Sequence, residues 1–240
     1  MTDLSKFEKI LGVVFNNKDL LRLALTHRSY INENPPPARP AGWPSGGSGE
    51  QNERLEFLGD AVLELVITEY LYKQFSERPE GELTALRASL VNANMLGDSA
   101  GSLNFNDFLL LSRGEARDVG RARQYILANA FEAVTGAIYL DQGYEAVKNF
   151  IIKILAPKIP EILEKRLYRD AKSFFQEEAQ ERVGITPTYE VLKEWGPDHD
   201  KHFIVGVYLG KDLAAEGEGP SKQIAQQQAA EAALKLKGWG

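Results

Sequence analysis

Apolar residues change their spacing near position 168 of this 240-residue chain, and this change limits the folds that the chain can adopt. Before that point, apolar side chains recur every three or four positions, which predicts a succession of amphipathic helices. Between His202 and Leu209 they occupy every second position, which predicts a strand buried on one face. The sequence therefore predicts an all-α domain over residues 1–168, followed by a small α+β domain over residues 169–240.

Individual elements can be placed from periodicity and from helix-breaking residues. We expect two short helices between Leu4 and Tyr30, and a long helix from about Glu50 to about Phe75. Further helices are expected at 82–100, 124–140, 144–155, 159–167 and 171–183, strands at 189–195, 202–209 and 212–216, and a last helix from 221. The element order of the second part is therefore α-β-β-β-α.

One segment is predicted to lie outside this regular structure. Residues 35–49 contain five of the chain's eleven prolines and four of its glycines. Because such a composition can neither bury a core nor maintain a β-ladder, we predict a flexible loop there.

The bulk composition is that of a soluble chain with an excess of acidic residues. The formal net charge is −6, and the mean hydropathy is −0.31. No apolar run reaches the roughly 18 residues of a membrane span, and residues 1–10 show no signal-peptide pattern. The absence of cysteine excludes disulfides, thiolate metal sites and a cysteine nucleophile. We therefore predict a cytoplasmic protein without a membrane partner, whose average charge argues against a polyanionic partner.

The long helix carries a stripe of four carboxylates. Glu53, Glu56, Asp60 and Glu64 fall within an arc of about 80° at 3.6 residues per turn. Like charges at this spacing repel, so the stripe favours a bound cation, and oxygen ligands suit Mg²⁺. A solvated acidic face is the alternative interpretation, and spacing alone does not decide between the two.

A second helix contains a smaller polar pair. Asn129 and Glu132 interrupt an otherwise apolar helix, and buried polar groups need partners. If this helix packs against the long helix, the pair could complete a site begun by Glu56 and Asp60. The alternative is that Asn129 and Glu132 bond to the backbone or to each other.

Several short motifs resemble one known family. The run NERLEFLGD at 52–60 resembles the signature of the ribonuclease III family, the endonucleases that cut double-stranded RNA. Four other motifs agree in order, namely LTHRSY at 25–30, EGEL at 80–83, ASLVN at 88–92 and ILANAFEAVTGAIYLDQG at 126–143. The second part resembles the double-stranded RNA-binding domain of bacterial members, so the resemblance covers nearly the whole chain.

The resemblance implies roles for five acidic residues. It makes Glu56, Asp60 and Glu132 metal ligands and catalytic residues, with Glu53 as a further catalytic residue and Glu80 as a supporting one. It implies an Mg²⁺ cofactor, for which Mn²⁺ can substitute, and hydrolysis by an activated water.

The resemblance also implies an assembly and a reaction product. Phe57 would be a dimer contact, with an ordinary core residue as the alternative. A homodimer would cut both strands of a double-stranded RNA and leave 5′-phosphate ends, 3′-hydroxyl ends and short 3′ overhangs. Structured precursors of rRNA and mRNA are the expected substrates.

One residue departs from the family pattern. Asn129 stands where most bacterial members have aspartate. Its amide oxygen can still ligate a hard cation, but the site has one negative charge fewer and should bind Mg²⁺ more weakly. The alternative function is therefore a catalytically weakened or inactive protein that binds double-stranded RNA or assists assembly.

The second part matches three sets of RNA contacts in the family. Gln176 and Gln180 share one face of its first helix, His199 lies between its first two strands, and Lys222 begins its last helix. Residues 170–240 carry a net charge of −4, so we predict weak, salt-sensitive RNA binding by this part alone. His199 as a surface loop residue, and the two glutamines as solvent-facing side chains, are the alternatives.

Overall fold

The computed structural model describes residues 3–34, 51–117, 120–164, 171–197 and 201–239. Contacts between Cα atoms divide the chain into two compact units, residues 1–165 and 166–240. The boundary predicted at 168/169 and the loop predicted at 35–49 both fall outside the described residues, so both stay predictions.

The N-terminal unit is helical. Its α-helices are α1 (Leu4–Leu11), α2 (Lys18–Ala24), α3 (Arg28–Glu33), α4 (Glu53–Gln74), α5 (Glu80–Val91), α6 (Ala93–Ser102), α7 (Arg121–Gln142), α8 (Tyr144–Leu155) and α9 (Ile159–Glu164). Short 3-10 turns lie at Phe105–Asp107, Glu115–Arg117 and Ala156–Lys158.

Two regions contain one more helix than predicted, because capping residues end one helix and start the next. The first thirty residues contain parts of three helices rather than two, since Gly12 ends α1 at φ 72° and the side chains of Asn17 and His27 cap α2 and α3. The helix predicted at 82–100 is divided at Asn92. This residue has extended backbone angles, and its side-chain oxygen accepts a hydrogen bond from the Met95 backbone N–H, which starts a new helix.

The core of the N-terminal unit is built on aromatic rings. Phe7 stacks on Phe108 with ring centroids 4.5 Å apart and meets Phe105 edge to face at 4.9 Å. Phe131 of α7 lies 6.1 Å from Phe105 and 5.7 Å from Phe150 of α8. Because α7 is buried from Ala133 to Ile138 as well, it forms the central helix of the unit.

The C-terminal unit has the predicted α-β-β-β-α order, and the predicted fold class is confirmed. It consists of α10 (Ala171–Val183), β1 (Thr188–Trp195), β2 (His202–Leu209), β3 (Asp212–Gly219) and α11 (Lys222–Lys237). The strands form one antiparallel sheet in the order β1-β2-β3. Phe175 of α10, Val207 of β2 and Ala229 of α11 are fully buried in its core. No helix in the described part of the chain is long and apolar enough to span a membrane.

Candidate active site

The candidate site lies where α4 and α7 cross. The two backbones approach so closely that a Cβ atom built on Gly59 would lie 1.8 Å from the carbonyl oxygen of Glu132. A Cβ on Gly136 would lie 2.3 Å from the carbonyl oxygen of Leu55. Only hydrogen fits at both positions, so the glycines allow the helices to cross in direct backbone contact. Side chains of α4 and of α7 that lie near these glycines are therefore brought close to each other.

Four polar side chains meet at this crossing, and we call them the polar cluster: Glu56 and Asp60 of α4, and Asn129 and Glu132 of α7. The charges of Asp60 and Glu56 both act on Glu132, and Asn129 hydrogen-bonds to Glu56. The structure therefore brings together the two polar sets that the sequence placed on separate helices.

Burial and mutual repulsion raise the pKa of two carboxyls in the cluster. The pKa of Glu132 rises from 4.5 to about 7, first because of burial and then because of the charges of Asp60 and Glu56. The pKa of Glu56 is raised by burial, by Glu53 and by Asp60, while the hydrogen bond from Asn129 opposes the rise. The cluster thus concentrates negative charge that the surrounding protein only partly compensates.

Glu53 lies at the edge of the polar cluster and has its own partners. The side chain of Gln51 donates from Nε2 to Glu53 Oε2 at 2.7 Å and accepts from the Glu53 backbone N–H at 2.7 Å. Arg28 Nη1 lies 3.8 Å from Glu53 Oε1, and the Arg28 side chain is 74% exposed. The charge of Arg28 also lowers the pKa of Glu56. Neither Gln51 nor Arg28 was predicted from the sequence as a site residue, although the LTHRSY motif contains Arg28.

Two other predicted acidic residues lie apart from the cluster. Glu64, the last member of the predicted stripe, pairs with Arg87 of α5 at 3.4 Å, so a protein cation compensates this end of the stripe. Glu80 begins α5 and accepts a hydrogen bond from Thr84 Oγ1 at 3.0 Å. Neither Glu64 nor Glu80 is among the charges that shift the pKa of Glu132 or Glu56.

The donor set of the polar cluster fits a hard divalent cation. Three carboxylates and one amide offer oxygen atoms alone, which suit Mg²⁺ or Mn²⁺ rather than a thiolate-binding metal. Among the described residues, however, no three His, Cys, Asp or Glu side chains already stand in a ready-made ligand arrangement. Side-chain rotation on the fixed backbones of α4 and α7 would therefore accompany binding of an ion.

Phe57 occupies the face of α4 next to the cluster but points outward. Its side chain is 81% exposed, so it is not a core residue of this chain. Leu65 and Tyr72 of the same helix are 57% and 73% exposed. α4 therefore presents apolar side chains to its surroundings, as a helix that packs against a partner would.

The predicted RNA contacts of the C-terminal unit are exposed where the structure describes them. Gln176 and Gln180 lie on α10, and Gln180 Oε1 accepts a hydrogen bond from Thr186 Oγ1 at 3.2 Å. Lys222 begins α11, with its Nζ 5.6 Å from the centre of the Phe203 ring. His199 falls outside the described residues, so its placement stays a prediction.

Comparison with known proteins identifies both units. A family model described as Ribonuclease-III-like matches residues 17–159, and the double-stranded RNA binding motif matches residues 171–237. The ribonuclease 3 of a Nitratiruptor species is 45% identical over 236 residues, 98% of this chain and 97% of that protein. The ribonuclease 3 of Pelotomaculum thermopropionicum is 47% identical over 231 residues, 96% of this chain and 92% of that protein.

A solved structure agrees with these relatives. The nuclease domain of ribonuclease III from Campylobacter jejuni, described for flexibility in its dimer-forming region, is 39% identical with a TM-score of 0.56. The matched region spans 66% of this chain and 99% of the Campylobacter jejuni chain.

The fold and the site define a class: a helical nuclease domain joined to a domain that binds double-stranded RNA. Within that class, the chain belongs to the ribonuclease III family, as its motifs predicted.

Proposed function

We propose that this protein is an Mg²⁺-dependent endoribonuclease that cleaves double-stranded RNA. The polar cluster is the observation that supports this proposal, because it gathers oxygen ligands and raised pKa values at one fixed helix crossing. Membership of the ribonuclease III family supplies the substrate class. The expected products carry 5′-phosphate and 3′-hydroxyl ends with short 3′ overhangs, and precursors of rRNA and mRNA are the proposed substrates.

In this proposal the cluster residues hold the ion and the RNA-binding residues orient the duplex. Glu56, Asp60 and Glu132 would ligate the cation through carboxylate oxygens, and Asn129 through its amide oxygen. When bound, Mg²⁺ supplies Lewis acidity toward the phosphodiester and lowers the pKa of water. Because the pKa of Glu132 lies near 7, its carboxyl must lose its proton before it can bind an ion at neutral pH.

Glu53 and Glu80 have different proposed roles from the cluster residues. Glu53, which repels Glu56 electrostatically, would extend the negative site at its edge. Glu80 would act as a supporting acidic residue, although in a single chain it is held by Thr84.

The active form is proposed to be a homodimer. The 81% exposure of Phe57 supports a contact between two copies of α4, because an isolated chain gains nothing from a large apolar side chain in water. Two polar clusters in one dimer would account for cleavage of both strands.

We also propose that residues 1–168 form the nuclease domain and residues 169–240 the RNA-binding domain, and that the protein acts in the cytoplasm.

The RNA-binding domain would contribute through few contacts. Gln176 and Gln180 would meet the 2′-hydroxyls of one minor groove and His199 the next, while Lys222 would meet phosphates between them. The net charge of −4 over residues 170–240 argues that these contacts are weak alone.

The second candidate function follows from Asn129. A neutral amide in place of a carboxylate lowers the charge available to hold Mg²⁺, which would leave a protein that binds RNA without cutting it.

A cleavage assay decides between the two candidates. A uniform RNA duplex is incubated with Mg²⁺ or Mn²⁺ in three parallel reactions. One contains the unaltered chain, one contains Glu132→Ala and one contains Asn129→Asp. Cleavage by the unaltered chain and not by Glu132→Ala supports the nuclease, whereas cleavage by Asn129→Asp alone supports the binder.

A further inference from the structure

The LTHRSY motif at residues 25–30 brings Arg28 to the edge of the polar cluster, and the structure holds this motif against the start of α4. The Asn52 backbone N–H donates to the Thr26 carbonyl at 2.9 Å, and its buried side chain donates to the Ala24 carbonyl at 3.3 Å. On the other side, the His27 N–H donates to the Leu110 carbonyl at 3.1 Å. The backbone before Arg28 is therefore fixed from two directions beside the helix that carries the polar cluster.

This anchoring presents Arg28 at the edge of the polar cluster. His27 caps α3 and Arg28 is its first residue, with the guanidinium 3.8 Å from the Glu53 carboxylate. At this distance the guanidinium and the carboxylate form an ion pair, but they are too far apart for a hydrogen bond. In the described part of the chain no acceptor takes a hydrogen bond from Arg28, and its side chain is 74% exposed. Its donors therefore face outward and are available to a ligand.

The surrounding charge defines which ligand those donors would take. An RNA phosphate brought to the polar cluster meets repulsion from Glu53, Glu56, Asp60 and Glu132, and residues 1–169 carry a net charge of −2. A fixed guanidinium offsets this repulsion and matches the geometry of two phosphate oxygens. An exposed ion pair such as that with Glu53 is weak, so a phosphate can displace it or share the guanidinium.

We propose that Arg28 binds a phosphate of the RNA duplex at the edge of the polar cluster. This inference rests on the proposed action of the protein on double-stranded RNA. It gives the LTHRSY motif a function: Thr26, His27 and Asn52 hold the backbone so that Arg28 reaches the phosphate next to the site of cleavage.

The test measures binding and cleavage separately. Full-length protein is titrated into a fluorescent, blunt RNA duplex in EDTA over a series of KCl concentrations, and the same preparations are assayed for cleavage in Mg²⁺. The variants are Arg28→Ala, Arg28→Lys and, as a matched control, Arg22→Ala, which removes an exposed arginine of α2. Thermal unfolding by circular dichroism checks that each variant folds.

The proposal predicts weaker binding with a smaller salt dependence. Arg28→Ala should raise the Kd about threefold to tenfold at moderate salt. It should also reduce the slope of log Kd against log [KCl] by about one for each phosphate that the variant no longer binds. Arg28→Lys keeps the charge and should retain the slope, while Arg22→Ala should change neither quantity.

Three results would overturn the proposal. They are an unchanged salt slope in Arg28→Ala, a loss of cleavage in that variant without weaker binding, or no duplex binding by the unaltered chain. The second result would show that Arg28 acts by positioning Glu53. Failure of the nuclease proposal looks different: the unaltered chain binds the duplex but does not cut it, and Arg28→Ala still lowers the slope.

Discussion

Replacing Glu132 by glutamine should stabilise the metal-free protein at high pH and not at low pH. The pKa of Glu132 rises from 4.5 to about 7 because burial and the charges of Asp60 and Glu56 disfavour the carboxylate. Below 4.5 the residue is protonated in both the folded and the unfolded chain, so it has no effect. Between 4.5 and 7 only the unfolded chain ionises, so stability falls as pH rises and then stays low.

The size of the stability gain in Glu132→Gln follows from the shift in the pKa of Glu132. A pKa that rises from 4.5 to about 7 corresponds to about 3 kcal/mol at most, at 1.36 kcal/mol per unit. Because Glu132 is only partly buried, solvent screening reduces this figure, and we expect a gain of ~1–2 kcal/mol for Glu132→Gln. For a chain of this size that is a rise in Tm of roughly 2–8 °C.

The assay is thermal and urea unfolding in EDTA, followed by far-ultraviolet circular dichroism at about pH 4, below the unfolded-state pKa, and at about pH 8, above the folded-state pKa. Glu64→Gln is the matched control, since Glu64 lies on the same face of α4 but pairs with Arg87 at 3.4 Å. It should show no gain at either pH. Added Mg²⁺ should then stabilise the unaltered chain more than Glu132→Gln. Equal stability of Glu132→Gln and the unaltered chain at both pH values would refute the repulsion reasoning.

Three further predictions concern the charge of the polar cluster, the crossing of α4 and α7, and the dimer contact. Asn129→Asp should lower the Mg²⁺ concentration needed for half-maximal cleavage and lower the metal-free Tm, because it adds a fourth carboxylate to the cluster; an unchanged Mg²⁺ requirement would contradict this. Gly59→Ala should destabilise the protein by ~3 kcal/mol or more in urea unfolding, whereas Gly101→Ala, which meets open space, should be neutral or slightly stabilising. Phe57→Asp should convert the dimer into monomers in sedimentation experiments, and Val14→Asp, at a residue 74% exposed between α1 and α2, should not.

Local patterns predicted the elements of the fold well because helices and strands carry their own periodicity. The two apolar helices interrupted by Glu56, Asp60, Asn129 and Glu132 were visible in the sequence, and so was the alternation of β2. The helix break at Asn92 was missed because its capping hydrogen bond to Met95 leaves the apolar spacing unchanged.

The partners of the acidic residues were not predictable in the same way. Arg87 neutralises Glu64 from a different helix, and Arg28 approaches Glu53 from α3. Both pairs depend on how helices pack, and no local spacing encodes that geometry. The close approach of α4 and α7 could have been suspected from Gly59 and Gly136, but only the structure shows that both glycines lie at the crossing.

The proposed metal-dependent nuclease activity is tested by the rate of RNA duplex cleavage as a function of Mg²⁺ concentration. This rate is measured in single-turnover conditions for the unaltered chain and for two variants of α4. Asp60→Ala removes a carboxylate of the polar cluster, and Glu64→Gln removes one that pairs with Arg87. We expect Mg²⁺-dependent cleavage by the unaltered chain and by Glu64→Gln, and none by Asp60→Ala. Cleavage that survives Asp60→Ala, or that proceeds in EDTA, would contradict this expectation.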